Sequence, residues 1–237
     1  MKKLPIINSQ YWAFIISGTT LGETGADVLS QSLNLGYAAA SLLLIALFIA
    51  ALLVELSTIE QHKGLYWLVI ILASLAGTTI SDYVTRTLGL GYGWGSLLIA
   101  TVLAIVFFIW RKLTLQISLQ DALDVKTQAL YWLAILVSST LGTAFGDYIA
   151  NATPLGFGGG ALLLMSLLVI ILFLALLTQA SREIYYWLAI IVTHPMGAAL
   201  GDFMTKPEGI NLGNIYATAI LLMILVFVAF GLRTKPN

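Results

Sequence analysis

No cysteine occurs among the 237 residues, which excludes disulfides, thiolate metal sites and a cysteine nucleophile. Charge is almost as scarce. Asp, Glu, Lys and Arg make up 9% of the chain, against about 25% in a soluble domain. The formal net charge is zero, which gives no electrostatic reason to bind nucleic acid. Also missing are a phosphate-binding loop, a nucleophile elbow and a zinc-binding helix signature. What is abundant is apolar: 59% of residues are hydrophobic, the composition of an integral membrane protein.

The chain repeats itself four times. Each copy opens on a Tyr (Tyr11, Tyr66, Tyr131, Tyr186), followed by a Trp. A Gly comes eleven residues after the Tyr (Gly22, Gly77, Gly142, Gly197) and an Asp sixteen after it (Asp27, Asp82, Asp147, Asp202). The apolar run after MKKLPIINSQ belongs to the first copy, so it reads as a membrane helix and not as a signal peptide. After each Asp comes a Gly-rich break, for example NLGY at 34–37 and PLGFGGG at 154–160. A second apolar run follows, near the ~20 residues that cross a bilayer. The expected fold is therefore all-α, with eight transmembrane helices from four parallel two-helix repeats, pseudo-twofold or pseudo-fourfold about the membrane normal.

The copies start 55, 65 and 55 residues apart, which groups them into an N-terminal half (1–111) and a C-terminal half (130–237). The connector at 112–129 is the most polar stretch and reads as an interfacial amphipathic helix or a plain linker. Lys2, Lys3, Lys63, Arg111, Lys112, Lys126, Arg182, Arg233 and Lys235 fall on the side of the Tyr-Trp pairs, and only Arg86 and Lys206 lie opposite. Both termini are thus expected in the cytoplasm, with the Tyr-Trp pairs in the aromatic belt of that face.

At intervals of four, each first helix carries two lines. One is small: Gly18, Gly22, Ala26; Ala73, Gly77, Ser81; Ser138, Gly142, Gly146; Thr193, Gly197, Gly201. Such lines let membrane helices pack closely. The other is polar: Thr19, Glu23, Asp27, Gln31; Ser74, Thr78, Asp82, Arg86; Ser139, Thr143, Asp147, Asn151; His194, Ala198, Asp202, Lys206. Acids at membrane depth are costly and normally face a bundle interior or water, so the polar lines are expected to surround a shared cavity. The Asp residues could instead be solvated at the outer interface or cap the break beside them. Asp82 and Asp202 each have a base four residues on, Arg86 and Lys206, whereas Asp27 and Asp147 face Gln31 and Asn151. Asp27 and Asp147 are therefore expected to be the free acids. Pro195 is expected to kink the fourth copy's first helix.

The Trp, Gly and Asp skeleton with its following Leu-Gly resembles the tandem repeat of unknown function in a bacterial family of uncharacterised membrane-anchored proteins. The resemblance covers all four copies, the fourth departing by two extra residues before Leu212-Gly213 and by His194-Pro195. It implies a bacterial membrane location, here the inner membrane, and a repeat architecture, without naming a substrate.

The residues themselves point to a transporter or channel for a cation. Carboxylate, hydroxyl and amide oxygens suit Mg2+, Ca2+ or Mn2+, and a histidine favours Mn2+. Glu23, Asp27, Asp147 and His194 are the expected metal ligands. Thr19, Ser74, Thr78, Asp82, Ser139, Thr143, Asn151 and Asp202 complete the ion-binding set, and Glu23 or His194 could couple protons. The cation is a substrate, and no cofactor or enzymatic activity is expected. Alternatives are a small organic cation held by Tyr83, Tyr148 and Phe203, an intramembrane aspartyl-type enzyme built on Gly146-Asp147 and Gly201-Asp202, and a purely structural membrane protein. The expected partners are the lipid bilayer and a small cation, with homo-oligomerisation left open.

Overall fold

The computed structural model describes residues 5–58, 62–114, 124–178 and 182–231. Among them are eight helices and no strand: α1 (Ser9–Asp27), α2 (Gly36–Ser57), α3 (Lys63–Asp82), α4 (Gly91–Thr114), α5 (Val125–Ala152), α6 (Gly156–Leu177), α7 (Arg182–Thr205) and α8 (Asn214–Gly231). Capping residues set two of the starts. Asn8 Oδ1 accepts from the Tyr11 amide and Asp124 Oδ1 from the Thr127 amide, each at 2.9 Å. Both satisfy an amide that the first helical turn cannot.

The break inside each repeat is a left-handed turn. Gly36, Gly91, Gly156 and Gly213 all have φ between 61° and 72°, and two residues ahead of three of them Asn34, Gly89 and Asn211 do the same. Glycine and asparagine tolerate that region best, so the Asn-Leu-Gly and Gly-Leu-Gly triplets encode the reversal directly. In the first two repeats the turn is preceded by a π-helical stretch, Val28–Ser32 and Tyr83–Thr87. α7 runs unbroken through Pro195.

Six helices are long and apolar enough to cross a membrane, namely α2 to α7. This is a multi-pass, all-α membrane protein. Of the eight expected crossings, six meet the length and composition of a span among the described residues. α1 carries Glu23, Asp27 and three threonines, which it can do because α3, α7 and α8 enclose it. The apolar stretch of α8, Asn214–Ala229, is shorter than the other spans.

α1 packs on α3 and α7, α3 on α5, and α5 on α7, so the four first helices close a ring. They run in one direction, since the four tyrosines meet at one end and the four aspartates converge on two bases at the other. Each second helix lies outside the ring against the first helix of the following repeat: α2 on α3, α4 on α5, α6 on α7, and α8 back on α1. This interlock joins 1–111 to 130–237 on both sides. Of the 112–129 connector, the ends belong to α4 and α5; the interfacial helix expected for the remainder lies outside the described residues. The outer helices expose Leu42, Phe108, Leu162, Val169 and Phe173, an apolar surface suited to lipid.

The ring is tight because a glycine faces each neighbour. A Cβ added at Gly77 would stand 2.6 Å from Ser139 Oγ, and one at Gly142 would stand 2.5 Å from His194 Cβ and 2.7 Å from its backbone carbon. Gly22 meets Ser74, and Gly197 meets Thr19, in the same way. Each glycine thus closes on the next repeat, and the fourth closes on the first. Close backbone approach of this kind supplies packing where lipid removes the hydrophobic drive between helices.

Candidate functional site

The four aspartates stand side by side near the ends of the first helices, each 1–2% exposed except Asp147 at 3%. Two bases join them in pairs that cross repeats. Arg86 Nε lies 2.7 Å from Asp82 and its Nη2 lies 2.9 Å from Asp147; Lys206 Nζ lies 3.2 Å from Asp202 and 3.0 Å from Asp27. Asp27 and Asp147 are therefore not the free acids expected from the i,i+4 spacing. The base four residues after one Asp also reaches the Asp of the adjacent helix, because ring closure brings the two carboxylates to either side of it. Gln31 donates to Asp27, while Asn151 donates to the Asp147 backbone carbonyl.

Glu23 lies one turn deeper, 3% exposed. Its Oε2 accepts from Thr78 at 3.2 Å and Thr143 at 2.9 Å, and the two hydroxyls are 3.1 Å apart. Three repeats thus converge on one carboxylate, with Ala198 in the fourth place of that layer. Other hydroxyls behave differently: Thr20, Ser30, Thr85, Thr140 and Thr193 donate to carbonyls of their own helix. Thr78 and Thr143 instead reach across to a neighbouring helix. Gly201 makes the room, since a Cβ there would stand 2.8 Å from Glu23 Cβ.

Glu23, Asp27 and Asp202 each offer an oxygen within 4.8 Å of the others. This trio differs from the expected ligand set of Glu23, Asp27, Asp147 and His194. Asp147 is drawn to Arg86. His194 Nδ1 contacts Ile190 O at 2.9 Å and Ser138 Oγ at 3.3 Å, and it precedes Asp202 by eight residues, about 12 Å of helix. Thr19, Ser74, Ser139 and His194, expected in the cavity, stand instead in the seams opposite the glycines. The cause is geometric. Rows at i±4 are inclined to the helix axis, so a line that faces the centre at Glu23 has turned into the seam one turn earlier.

A family model described as "Repeat of Unknown Function (DUF347)" matches residues 10–58, 65–114, 130–181 and 185–236. The chain belongs to this family. No curated protein and no solved structure matches it.

In this DUF347 chain the tyrosines have a role that the aromatic-belt expectation missed. Tyr11, Tyr66, Tyr131 and Tyr186 are 0–4% exposed and turn inward, not toward headgroups. Their hydroxyls form a closed ring: Tyr11–Tyr66 3.2 Å, Tyr66–Tyr131 2.6 Å, Tyr131–Tyr186 2.9 Å and Tyr186–Tyr11 2.7 Å. The signal for this was the invariable place of Tyr in the repeat, one residue ahead of Trp. At the aspartate end, Arg86, Tyr92, Asp147, Asn151, Phe157, Lys206 and Glu208 border a cavity of about 350 Å³. Arg86 lies near Tyr37 and Tyr92, 5.9 and 5.6 Å from the ring centres.

Proposed function

We propose that this protein is a membrane transporter or channel for a cation, a divalent metal ion first, bound at Glu23, Asp27 and Asp202. The observation that carries the reading is a buried excess of carboxylate. Glu23, Asp27, Asp82, Asp147 and Asp202 are all buried, and among the described residues Arg86 and Lys206 are the bases that pair with the aspartates. Uncompensated charge at membrane depth is expensive and is retained where an ion or proton travels. Lys206 already places an ammonium between Asp27 and Asp202. A mobile cation would take its place, with the lysine swinging into the adjoining cavity. Carboxylate and threonine oxygens supply the hard ligands that Mg2+, Ca2+ or Mn2+ favour.

The same proposal takes the eight helices as eight crossings, with the ring axis along the membrane normal and pseudo-fourfold in shape. The basic residues on the tyrosine side put both termini in the cytoplasm of a bacterial inner membrane. An aspartyl-type enzyme is the less favoured alternative, because Arg86 and Lys206 stand beside all four aspartates and hold them in ion pairs. A small organic cation is the second reading, supported by Tyr92 and Phe157 beside Asp147 and Glu208 in the cavity wall.

Flux of Mn2+, Mg2+ and a methylated ammonium into proteoliposomes tests the reading. Wild-type protein should carry at least one of them and Glu23→Gln should not. Wild-type flux no greater than that of protein-free vesicles would sink the cation reading and leave the structural alternative, and equal flux above that level in the two proteins would sink the role of Glu23.

A further inference from the structure

Four tyrosine hydroxyls carry four protons and make four hydrogen bonds, so each donates once and accepts once. Sides of 2.6–3.2 Å leave the centre only about 2 Å from each oxygen, inside the ~2.5 Å minimum for an O–H···O contact. No water fits there. Behind the ring, each tyrosine packs on its own Trp and on that of the following repeat: Tyr11 on Trp67 (5.4 Å between centroids), Tyr66 on Trp132 (5.1 Å), Tyr131 on Trp187 (5.7 Å) and Tyr186 on Trp12 (6.1 Å). Four residues further along each helix stand Ile15, Ile70, Ile135 and Ile190, all 0–1% exposed and in the same core cluster. Ile70 packs toward Gly18 of α1, so this layer fills the space between the first helices beneath the tyrosines. Beyond them the axis turns polar at Glu23, Thr78 and Thr143.

We propose that these two layers, the tyrosine ring and the packed isoleucines beneath it, are the closed gate of the axis on the side of the first helices' N-termini. This rests on the cation-pathway reading. The two layers differ in kind. The hydroxyl ring leaves no opening wide enough for a water or an ion, and four packed isoleucines exclude water, the way hydrophobic constrictions close pores. The aspartate end has no such closure. Its side chains are held by ion pairs, and its cavity reaches Arg86 and Lys206. The structure therefore represents a state shut toward the tyrosines, with the cavity on the side of the aspartates.

The lack of native cysteine makes the gate directly testable. Ala198→Cys places one thiol in the Glu23 layer, about 18 Å along α7 from Tyr186. A membrane-impermeant maleimide added from the tyrosine side should leave it unlabelled. Tyr66→Phe keeps the ring body but orphans two hydrogen bonds, and Ile135→Asn wets the second layer. Each should speed labelling by at least about tenfold, as weakened closure raises the open population. Labelling from the tyrosine side behind the intact gate overturns the proposal. So does an unchanged rate in both variants when their melting shows that they fold. Tyr131→Phe serves as the backup variant. Cation flux in the same vesicles is scored separately. Faster labelling with no flux in any protein leaves the gate standing and sinks the cation reading, whereas wild-type flux with unchanged labelling does the reverse.

Discussion

The pair of aspartates around Arg86 and the pair around Lys206 occupy equivalent places in the scaffold, yet their chemistry differs. Arg86 joins Asp82 and Asp147 through two nitrogens of one planar guanidinium and lies near two tyrosine rings. Lys206 joins Asp27 and Asp202 through a single ammonium on a flexible stem. The planar fork is preorganised for carboxylates, whereas the ammonium is a compact point charge. The second difference lies one turn deeper. Glu23 belongs to the lysine cluster, and Thr143 takes the corresponding place in the arginine cluster. The lysine cluster therefore has three carboxylates to one base, the arginine cluster two to one. Under the proposed function, the arginine cluster is suited to holding helices together and the lysine cluster to exchanging a cation.

The largest effect should come from deleting the bases. Arg86→Met and Lys206→Met each leave two buried acids facing one another, a loss of about 3–5 kcal/mol, which melting in detergent will measure. The comparison predicts that millimolar Mn2+ or Mg2+ restores the melting temperature of Lys206→Met but not of Arg86→Met, by binding to the folded state alone. Restoration of both, or of neither, would remove the distinction between the clusters.

Next in size is Glu23→Gln. It should weaken cation binding by more than the roughly 10–100-fold that follows loss of an outer-shell partner, while Thr143→Val should cost less; titration calorimetry separates the two. Exchanging the bases is subtler. Lys206→Arg should preserve stability and slow flux by about tenfold, since a two-nitrogen fork releases carboxylates less readily. Arg86→Lys should leave flux within about twofold, because that cluster lacks the third carboxylate. Equal slowing by both exchanges would make the clusters functionally alike. The smallest effect belongs to Gln31→Leu, which removes one hydrogen bond to Asp27 and should lower stability by about 0.5–1.5 kcal/mol, measurable by chemical denaturation.

Much of this was legible from repeat spacing. The two-helix unit, the Gly break and the packing glycines all rest on local rules: an apolar run forms a helix, a left-handed position takes Gly or Asn, and a close seam tolerates no side chain. The aspartate layer was legible too, because sixteen residues from the Tyr places each Asp at the same height. What failed were inferences that assumed each helix was alone. Asp147 looked free because its own helix offers Asn151; its partner, Arg86, is 61 residues away. His194 looked like a ligand because it begins a polar line, but the inclination of that line turns it into the seam with Gly142. The tyrosines looked interfacial because aromatic residues at a helix start commonly are.

The sequence by itself determined the helices, their breaks, their common direction and the height of every polar side chain along them, since those depend on residues within a few turns. Only the tertiary structure decided which side chains share a partner. Closing four helices into a ring brings Lys206 to Asp27 across 179 residues, gathers three repeats on Glu23 and turns four separate tyrosines into one hydrogen-bonded ring. The reason is that a base between two acids, or a hydroxyl between two hydroxyls, is satisfied by distance in space, to which separation along the chain contributes nothing.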